Sequence, residues 1–413
     1  MSGVWHPFTQ HAVAPEPPLI TRGESAWLIA GDGRRILDGI SSWWVTTHGH
    51  NHPRIMAAIR AQTEKLDQVI FAGFTHQPAE DLAAGLLAIA PKGLAHVFYS
   101  DSGSTAVEVA LKMSLGFWHN SGKPRTKIIA LEHAYHGDTI GTMAAGARGV
   151  FNAPYEPLLF EVVRLPFPTD PVATLTALEH EAAGAAALIV EPLLLGAGGM
   201  LIYSADVLRQ MKAICESHGT LFIADECLTG FGRTGTLFAC EQAGITPDLV
   251  CLAKGLTGGA TPLAATLATP AIFQAHYSTD RRKTFFHSSS YTANPIACAA
   301  GVANLAIWRE EPVLERVAVL AALQEERLAP FRADPRFENV RRCGTITALN
   351  LKVTDPGYLA EQGPKLAAYF LARNILLRPL GNTIYVLPPY CITAAELDMI
   401  YAAIADCPEG ATP

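Results

Sequence analysis

Through the middle of the chain, short apolar runs alternate with longer stretches of helical period. The runs cover residues 96–100, 127–131, 187–191, 221–225, 249–253 and 262–268. Each is of strand length, and the segments between them are long enough to cross over as helices. The pattern therefore predicts a mostly parallel sheet covered by helices on both faces. Two regions break the rhythm. Before residue 50, two short apolar runs at 26–30 and 34–38 flank Gly31-Asp32-Gly33, a hairpin signal in which Gly33 tolerates the positive φ of the turn. Beyond Asn294-Pro295, one long helical stretch is expected over 296–330, followed by strand signals at 346–353 and 383–387. Three parts result: an N-terminal segment (1–53) that contributes to a small domain, a large sheet domain (54–295), and a C-terminal α+β domain (296–413).

Bulk properties narrow the function. The chain has 413 residues, 49% hydrophobic and 17% charged, which suits a folded protein of two or three domains. A formal net charge of −7, without a basic tail, offers no footprint for nucleic acid. Eight cysteines stand at 215, 227, 240, 251, 298, 343, 391 and 407 with no Cys-x-x-Cys pair or zinc spacing, as expected of buried thiols in a reducing compartment. Neither a basic-then-apolar leader nor an apolar run of about 20 residues occurs, so a cytoplasmic location and no membrane span are expected.

The candidate chemistry sits where the runs end. In sheets of this type ligands collect beyond the carboxyl ends of the strands. One run closes on Asp225-Glu226, and the next leads into Lys254-Gly255. A buried carboxylate can salt-bridge a pyridinium nitrogen and a lysine amine can form a Schiff base with an aldehyde, the two attachments pyridoxal 5′-phosphate requires. Downstream of the run at 96–100, Ser102-Gly103-Ser104-Thr105 opens a helix: Gly103 allows close approach of an anion, and Ser104 adds a hydroxyl to the free N–H groups. Thr105 and Glu108 fit a capping box, so the same stretch also suits an ordinary helix start. Tyr135, in His133-Ala134-Tyr135-His136-Gly137-Asp138, is a candidate to stack on a planar group, as are Trp43 and Trp44. His48, His50 and His52 alternate, but Pro53 follows at once and no partner ligand is spaced to complete a metal site, so no metal is expected. A Gly-x-Ser-x-Gly elbow and a Walker loop are both missing.

Asp225-Glu226-Cys227-Leu228-Thr229-Gly230-Phe231-Gly232-Arg233-Thr234-Gly235, taken with Lys254-Gly255-Leu256-Thr257-Gly258-Gly259, resembles the class III (ω-type) aminotransferases that use pyridoxal phosphate. Trp5-His6-Pro7-Phe8-Thr9-Gln10, Ser41-Ser42-Trp43-Trp44, residues 100–104 and 135–139, and Asn294-Pro295 narrow the resemblance to the branch that aminates 8-amino-7-oxononanoate in biotin synthesis. The resemblance implies an α/β fold of PLP-dependent transferase type I. It implies Lys254, Asp225 and Tyr135 as catalytic residues, and Gly103, Ser104, Tyr135, Asp225, Lys254, Ser289 and Ser290 as cofactor-binding residues. Phe8, Trp43, Tyr135, Lys254, Ser288 and Arg378 would bind substrate, with Arg378 on its carboxylate. His287-Ser288-Ser289-Ser290-Tyr291 matches a loop that reaches the phosphate from a partner subunit, which implies a homodimer with shared active sites. Three departures stand out: three serines replace Gly-Pro-Thr in that loop, Cys227 replaces an aliphatic residue, and Phe8 stands where many members have a tyrosine that contributes to substrate recognition. The implied donor is S-adenosylmethionine. Lysine as donor and another class III ω-aminotransferase are the alternatives. A non-enzymatic cofactor-binding regulator would need a DNA-binding module, for which neither end of the chain carries a basic patch.

Overall fold

Seven strands form the central sheet in the order His96–Ser100, Ala264–Ala268, Leu249–Leu252, Leu221–Asp225, Ala187–Val190, Ile128–Leu131, Val163–Leu165. The structure, a computed structural model, describes residues 3–408; Met1, Ser2 and residues 409–413, the outermost parts of the two terminal segments assigned above, lie outside the described residues. Ala264–Ala268 runs antiparallel to both of its neighbours, and the remaining pairings are parallel. The expected mostly parallel sheet is thus observed, and the alternation of side chains along its strands explains its unbroken apolar runs. Phe222 and Ala224 face one core with Leu188, Val190, Val250 and Leu252; Leu221 and Ile223 face the other with Ile189, Leu249 and Cys251. A strand buried on both faces has no polar side to show.

The helix Gly103–Asn120 packs on the second face, against Leu249–Leu252 and Ala264–Ala268. Pro171–Ala182 and Ala205–His218 pack on each other, and their inner residues Leu178, Leu208 and Met211 join the first core. A third core lies outside this sheet. There Phe337–Cys343, Ile346–Leu351 and Thr383–Val386 form an antiparallel sheet under the helices Val313–Leu328 and Ala394–Ala405. The N-terminal hairpin is observed as Trp27–Ala30 and Arg35–Asp38. Ile20–Glu24 pairs on one side of it and Ile375–Leu376 on the other, the latter in parallel.

One helix was expected over 296–330, and two are present: Pro295–Glu310 and Val313–Leu328. The break has a local cause. Glu311 precedes Pro312 and is extended (φ −115°, ψ 154°), because the proline ring excludes the helical conformation of the residue before it.

Candidate active site

All the strands of the central sheet except Ala264–Ala268 point their carboxyl ends to one edge, and the candidate residues gather there. Asp225 ends its strand, Glu191 follows Val190, Lys254 lies two residues past Leu252, and Tyr135 and His136 follow Ile128–Leu131. Asp225 is 4% exposed; its carboxylate accepts a hydrogen bond from His136 Nδ1 at 2.8 Å and another from the Cys227 N–H at 3.2 Å. Burial alone would raise its pKa, but the His136 hydrogen bond and charge, together with the Cys227 hydrogen bond and the Lys254 charge, outweigh burial and hold it below the usual carboxylate range. Glu191, 5% exposed, accepts from the N–H groups of Tyr135 (3.0 Å) and Gly196 (2.9 Å), and burial pushes its carboxyl up to about 7. Burial, with Asp138 beside it, likewise raises the Tyr135 hydroxyl, so that it stays protonated.

The helix start opposite differs by three residues from the capping box expected at Thr105 and Glu108. Ser102 is the N-cap: its hydroxyl accepts from the Thr105 N–H at 3.2 Å, and Thr105 Oγ1 accepts from the Ser102 N–H at 2.9 Å. Glu108 is spent elsewhere, accepting from Thr139 Oγ1 (2.6 Å) and the Gly141 N–H (3.0 Å). A cavity of about 410 Å³ is lined by Ser102, Gly103 and Ser104 together with Asp225, Tyr135 and Lys254. Gly103 is needed for its size, since a Cβ there would lie 3.2 Å from Cys227 Sγ. Gly137 is needed twice over: its φ is +131°, and a Cβ would lie 2.1 Å from Ser104 Oγ, the atom that accepts from the Asp138 N–H at 3.2 Å.

A second cavity, about 380 Å³, adjoins the first at Trp44, Tyr135 and Lys254. Its walls are largely aromatic. The Phe8 ring stands edge-on to Trp43 (5.6 Å) and to Phe151 (6.0 Å), and the Arg378 guanidinium lies 5.1 Å from the Trp43 ring centroid. Arg378 makes one long hydrogen bond, 3.4 Å to the Phe8 carbonyl, so its fork remains open to a ligand. Lys254 Nζ lies 5.6 Å from the Trp44 ring, whose Nε1 donates to the Tyr385 hydroxyl at 3.0 Å. Strain concentrates here. Ser41, Ser42, Trp44 and Lys254 all adopt positive φ (54°, 58°, 67° and 47°) without being glycine. Buried Asp38 holds the first of these segments by accepting from the N–H groups of Ile40 (3.2 Å) and Ser42 (2.6 Å).

Of the residues expected from the sequence, Lys254, Asp225, Tyr135, Gly103, Ser104, Phe8, Trp43 and Arg378 line one or both cavities. Ser288, Ser289 and Ser290 line neither. They belong to an outer loop in which Ser289 Oγ accepts from the Tyr291 N–H (3.1 Å) and the Ser290 carbonyl accepts from Gln68 Nε2 (2.8 Å). His136 and Glu191 are functional candidates not singled out by the sequence reading, although one neighbours Tyr135 and the other closes an apolar run. Of the three alternating histidines, His48 and His52 stay side by side, with ring centroids 5.8 Å apart and His48 Nε2 2.9 Å from Asn304 Oδ1, while His50 turns away to place its Nε2 2.9 Å from Asp38 Oδ2.

The family model for class-III aminotransferases matches residues 8–407. The chain belongs to that family and is a pyridoxal-phosphate-dependent aminotransferase. It is similar to the adenosylmethionine-8-amino-7-oxononanoate aminotransferase of Synechococcus elongatus, at 48% identity over 98% of this chain and 97% of the relative. Among solved structures, the adenosylmethionine-8-amino-7-oxononanoate aminotransferase of Methanocaldococcus jannaschii superposes with a TM-score of 0.94 at 34% identity, covering 98% of this chain and 97% of the other. An amine transaminase from an uncultivated Pseudomonas species, in its PLP-bound form, gives 0.92 at 34% identity, with 98% of each chain covered. The residues present fit the cofactor. The lining of the first cavity offers a helix start for the phosphate and an ionised carboxylate for the ring nitrogen. His136, whose buried Nε2 has no hydrogen-bond partner among the described residues, lines the same cavity. Among the described residues, no helix is long and apolar enough to cross a membrane.

Proposed function

We propose that the protein transfers the amino group of S-adenosylmethionine to the oxo carbon of 8-amino-7-oxononanoate, forming 7,8-diaminononanoate in biotin synthesis. The observation that carries this reading is the second cavity: an aromatic-walled chamber with the Lys254 amine where it meets the first cavity and the open Arg378 fork in its wall. A linear apolar chain ending in a carboxylate suits such a chamber, because a buried anion needs a paired cation. The aromatic walls also suit the flat, cationic donor. The names carried by the relatives at 48% and 34% identity support the same substrate pair.

When bound, the cofactor carries the amino group between the two half-reactions and accepts the electron pair left on the substrate carbon. The chain's own residues do the rest. The N–H groups of Gly103 and Ser104 and the Ser104 hydroxyl hold the phosphate. The Asp225 carboxylate, which His136 helps to keep ionised, would pair with the ring nitrogen. Tyr135, its backbone fixed by Glu191, would stack on the ring. Lys254 Nζ would carry a proton between the amino-bearing carbon of the substrate and the cofactor carbon that takes the amino group, in one direction in the donor half-reaction and in the reverse direction in the acceptor half-reaction. Arg378 would fix the far carboxylate, with Trp43 and Phe8 lining the chamber beside it.

The working unit in this reading is a homodimer, in which Ser288, Ser289 and Ser290 complete the partner's site. Supporting it, the loop lines neither of the two adjoining cavities of its own chain. The parallel pairing of Ile375–Leu376 with Arg35–Asp38 supports reading residues 1–53 and 296–413 as one small domain beside the large domain 54–295. Eight free cysteines suit a cytoplasmic enzyme.

The two half-reactions test the assignment separately, by the loss of the cofactor's absorbance with each amine alone. Bleaching is expected with S-adenosylmethionine and with 7,8-diaminononanoate. Bleaching with lysine and none with S-adenosylmethionine would overturn the donor. Lys254→Ala is expected to abolish turnover and leave the far-UV circular dichroism unchanged. Borohydride reduction followed by peptide mapping should find the cofactor on Lys254 and on no other lysine.

A further inference from the structure

Between the strand Ile346–Leu351 and the helix Gln362–Ala372, a loop reaches over the substrate chamber and adds one ring to its wall, that of Tyr358. The loop is seated on the turn that presents Arg378. Gly381, three residues further on, has φ +59°, and a Cβ there would lie 2.4 Å from the Pro356 carbonyl oxygen and 3.0 Å from that of Gly357. On the other flank, a Cβ at Gly363 would stand 3.3 Å from the Gly381 carbonyl oxygen. Only a bare backbone at Gly381 lets the loop settle this closely. The Tyr358 ring is oriented in turn by Phe151, edge-on at 4.5 Å and 66°.

We propose that Tyr358 is a substrate-binding residue, its hydroxyl donating to the substrate carboxylate alongside Arg378. This rests on the carboxylate-bearing substrate assigned above and adds a second ligand for its charged end. A carboxylate has two oxygens with about four acceptor sites, and a guanidinium fork fills two of them. Of the chamber's other tyrosines, the Tyr135 hydroxyl sits beside Asp138, and the Tyr385 hydroxyl accepts from Trp44 Nε1. The Tyr358 hydroxyl makes no hydrogen bond to another described residue, and the side chain is half-buried at the chamber wall. A neutral phenol adds direction to the carboxylate without a second positive charge, which would compete with Arg378.

Tyr358→Phe removes one oxygen from an outer loop and leaves the packing against Phe151 in place. The test is the single-turnover half-reaction with two amines: 7,8-diaminononanoate, and 2,3-diaminooctane, which has the same chain without the carboxylate. Tyr358→Phe is expected to raise the apparent dissociation constant of the first about tenfold and to leave the second unchanged, the effect of one lost hydrogen bond to a charged group. Equal weakening of both amines would make the loop a lid only, and no weakening of either would leave the hydroxyl without a role; each result overturns the proposal. If wild-type protein ignored 7,8-diaminononanoate but accepted another carboxylate-bearing amine, the substrate reading would fall. The same comparison, run on that amine and its decarboxylated analogue, would still decide Tyr358.

Discussion

Asp225 and Glu191 end neighbouring strands, both nearly closed off from water, yet their surroundings drive them to opposite protonation behaviour. His136 is hydrogen-bonded directly to Asp225, whereas for Glu191 desolvation, reinforced by the Asp225 charge, outweighs the more distant His136 charge and two backbone N–H groups. The Glu191 carboxyl is raised from its ordinary 4.5 to about 7 in the fold. The unfolded chain therefore releases this proton first. The stabilising contribution is full below about 4.5 and is lost as the pH rises through 7, on the order of 3 kcal/mol in all. Glu191→Gln removes the titration. In denaturant unfolding of the cofactor-free protein, the stability of wild type relative to Glu191→Gln is expected to fall steadily from pH 5 to pH 8, whereas a pH-independent difference would show that Glu191 ionises normally. The sequence made Asp225 and Lys254 legible because each charge closes or follows an apolar run. It did not single out His136 and Glu191, whose partners stand 89 and 56 residues away in the chain. Nothing local tells a buried carboxylate from a solvated one.

Elements were legible where their pattern was strong and obscure where they were short or exposed. The buried strands of the central sheet could be read directly, but Val163–Leu165 is three residues long and Phe337–Cys343 carries Glu338, Arg341 and Arg342 on a partly exposed strand. The helix Gly103–Asn120 was found with its start misassigned, because Ser102 and Thr105 cap each other through hydroxyls rather than through a carboxylate. That start carries its own test. Gly103 has helical backbone geometry, so alanine is conformationally welcome there and would favour the helix by up to about 1 kcal/mol. The added methyl group, however, meets Cys227 Sγ at 3.2 Å on the floor of the first cavity. Gly103→Ala is expected to leave the unfolding midpoint of the cofactor-free protein unchanged or slightly raised while weakening pyridoxal phosphate binding about tenfold, roughly 1.4 kcal/mol. Adding Cys227→Ala should restore most of that affinity in a fluorescence titration. Unaltered affinity in the single variant would mean that the cradle tolerates a side chain at 103.

At the scale of the whole molecule, the paired subunits came from the resemblance alone, since composition and periodicity carry no signature of a second copy. The surface supplies a physical reason to expect one. Ile70 (64% exposed), Phe74 (62%), Phe286 (70%) and Tyr291 (64%) lie on two segments held together by Gln68 Nε2 donating to the Ser290 carbonyl at 2.8 Å and Asn294 Nδ2 to the Asp67 carbonyl at 3.0 Å. Large apolar side chains gathered on adjoining loops favour burial against a partner. In a two-fold pair, the patch would carry Ser290 toward the other chain's cofactor. Lys254→Ala spoils a site through the chain that holds the cofactor, whereas Ser290→Glu spoils one through the partner by setting a carboxylate beside the phosphate. Each variant alone is expected to be nearly inactive. Mixed in equal amounts and allowed to exchange, half of the pairs are hybrids, and each hybrid has one site that combines an intact Lys254 with an intact Ser290. Activity should then rise to about a quarter of wild type. If differently tagged subunits co-purify, proving exchange, while activity stays at the level of the parents, Ser290 does not act across the interface and the shared-site reading fails.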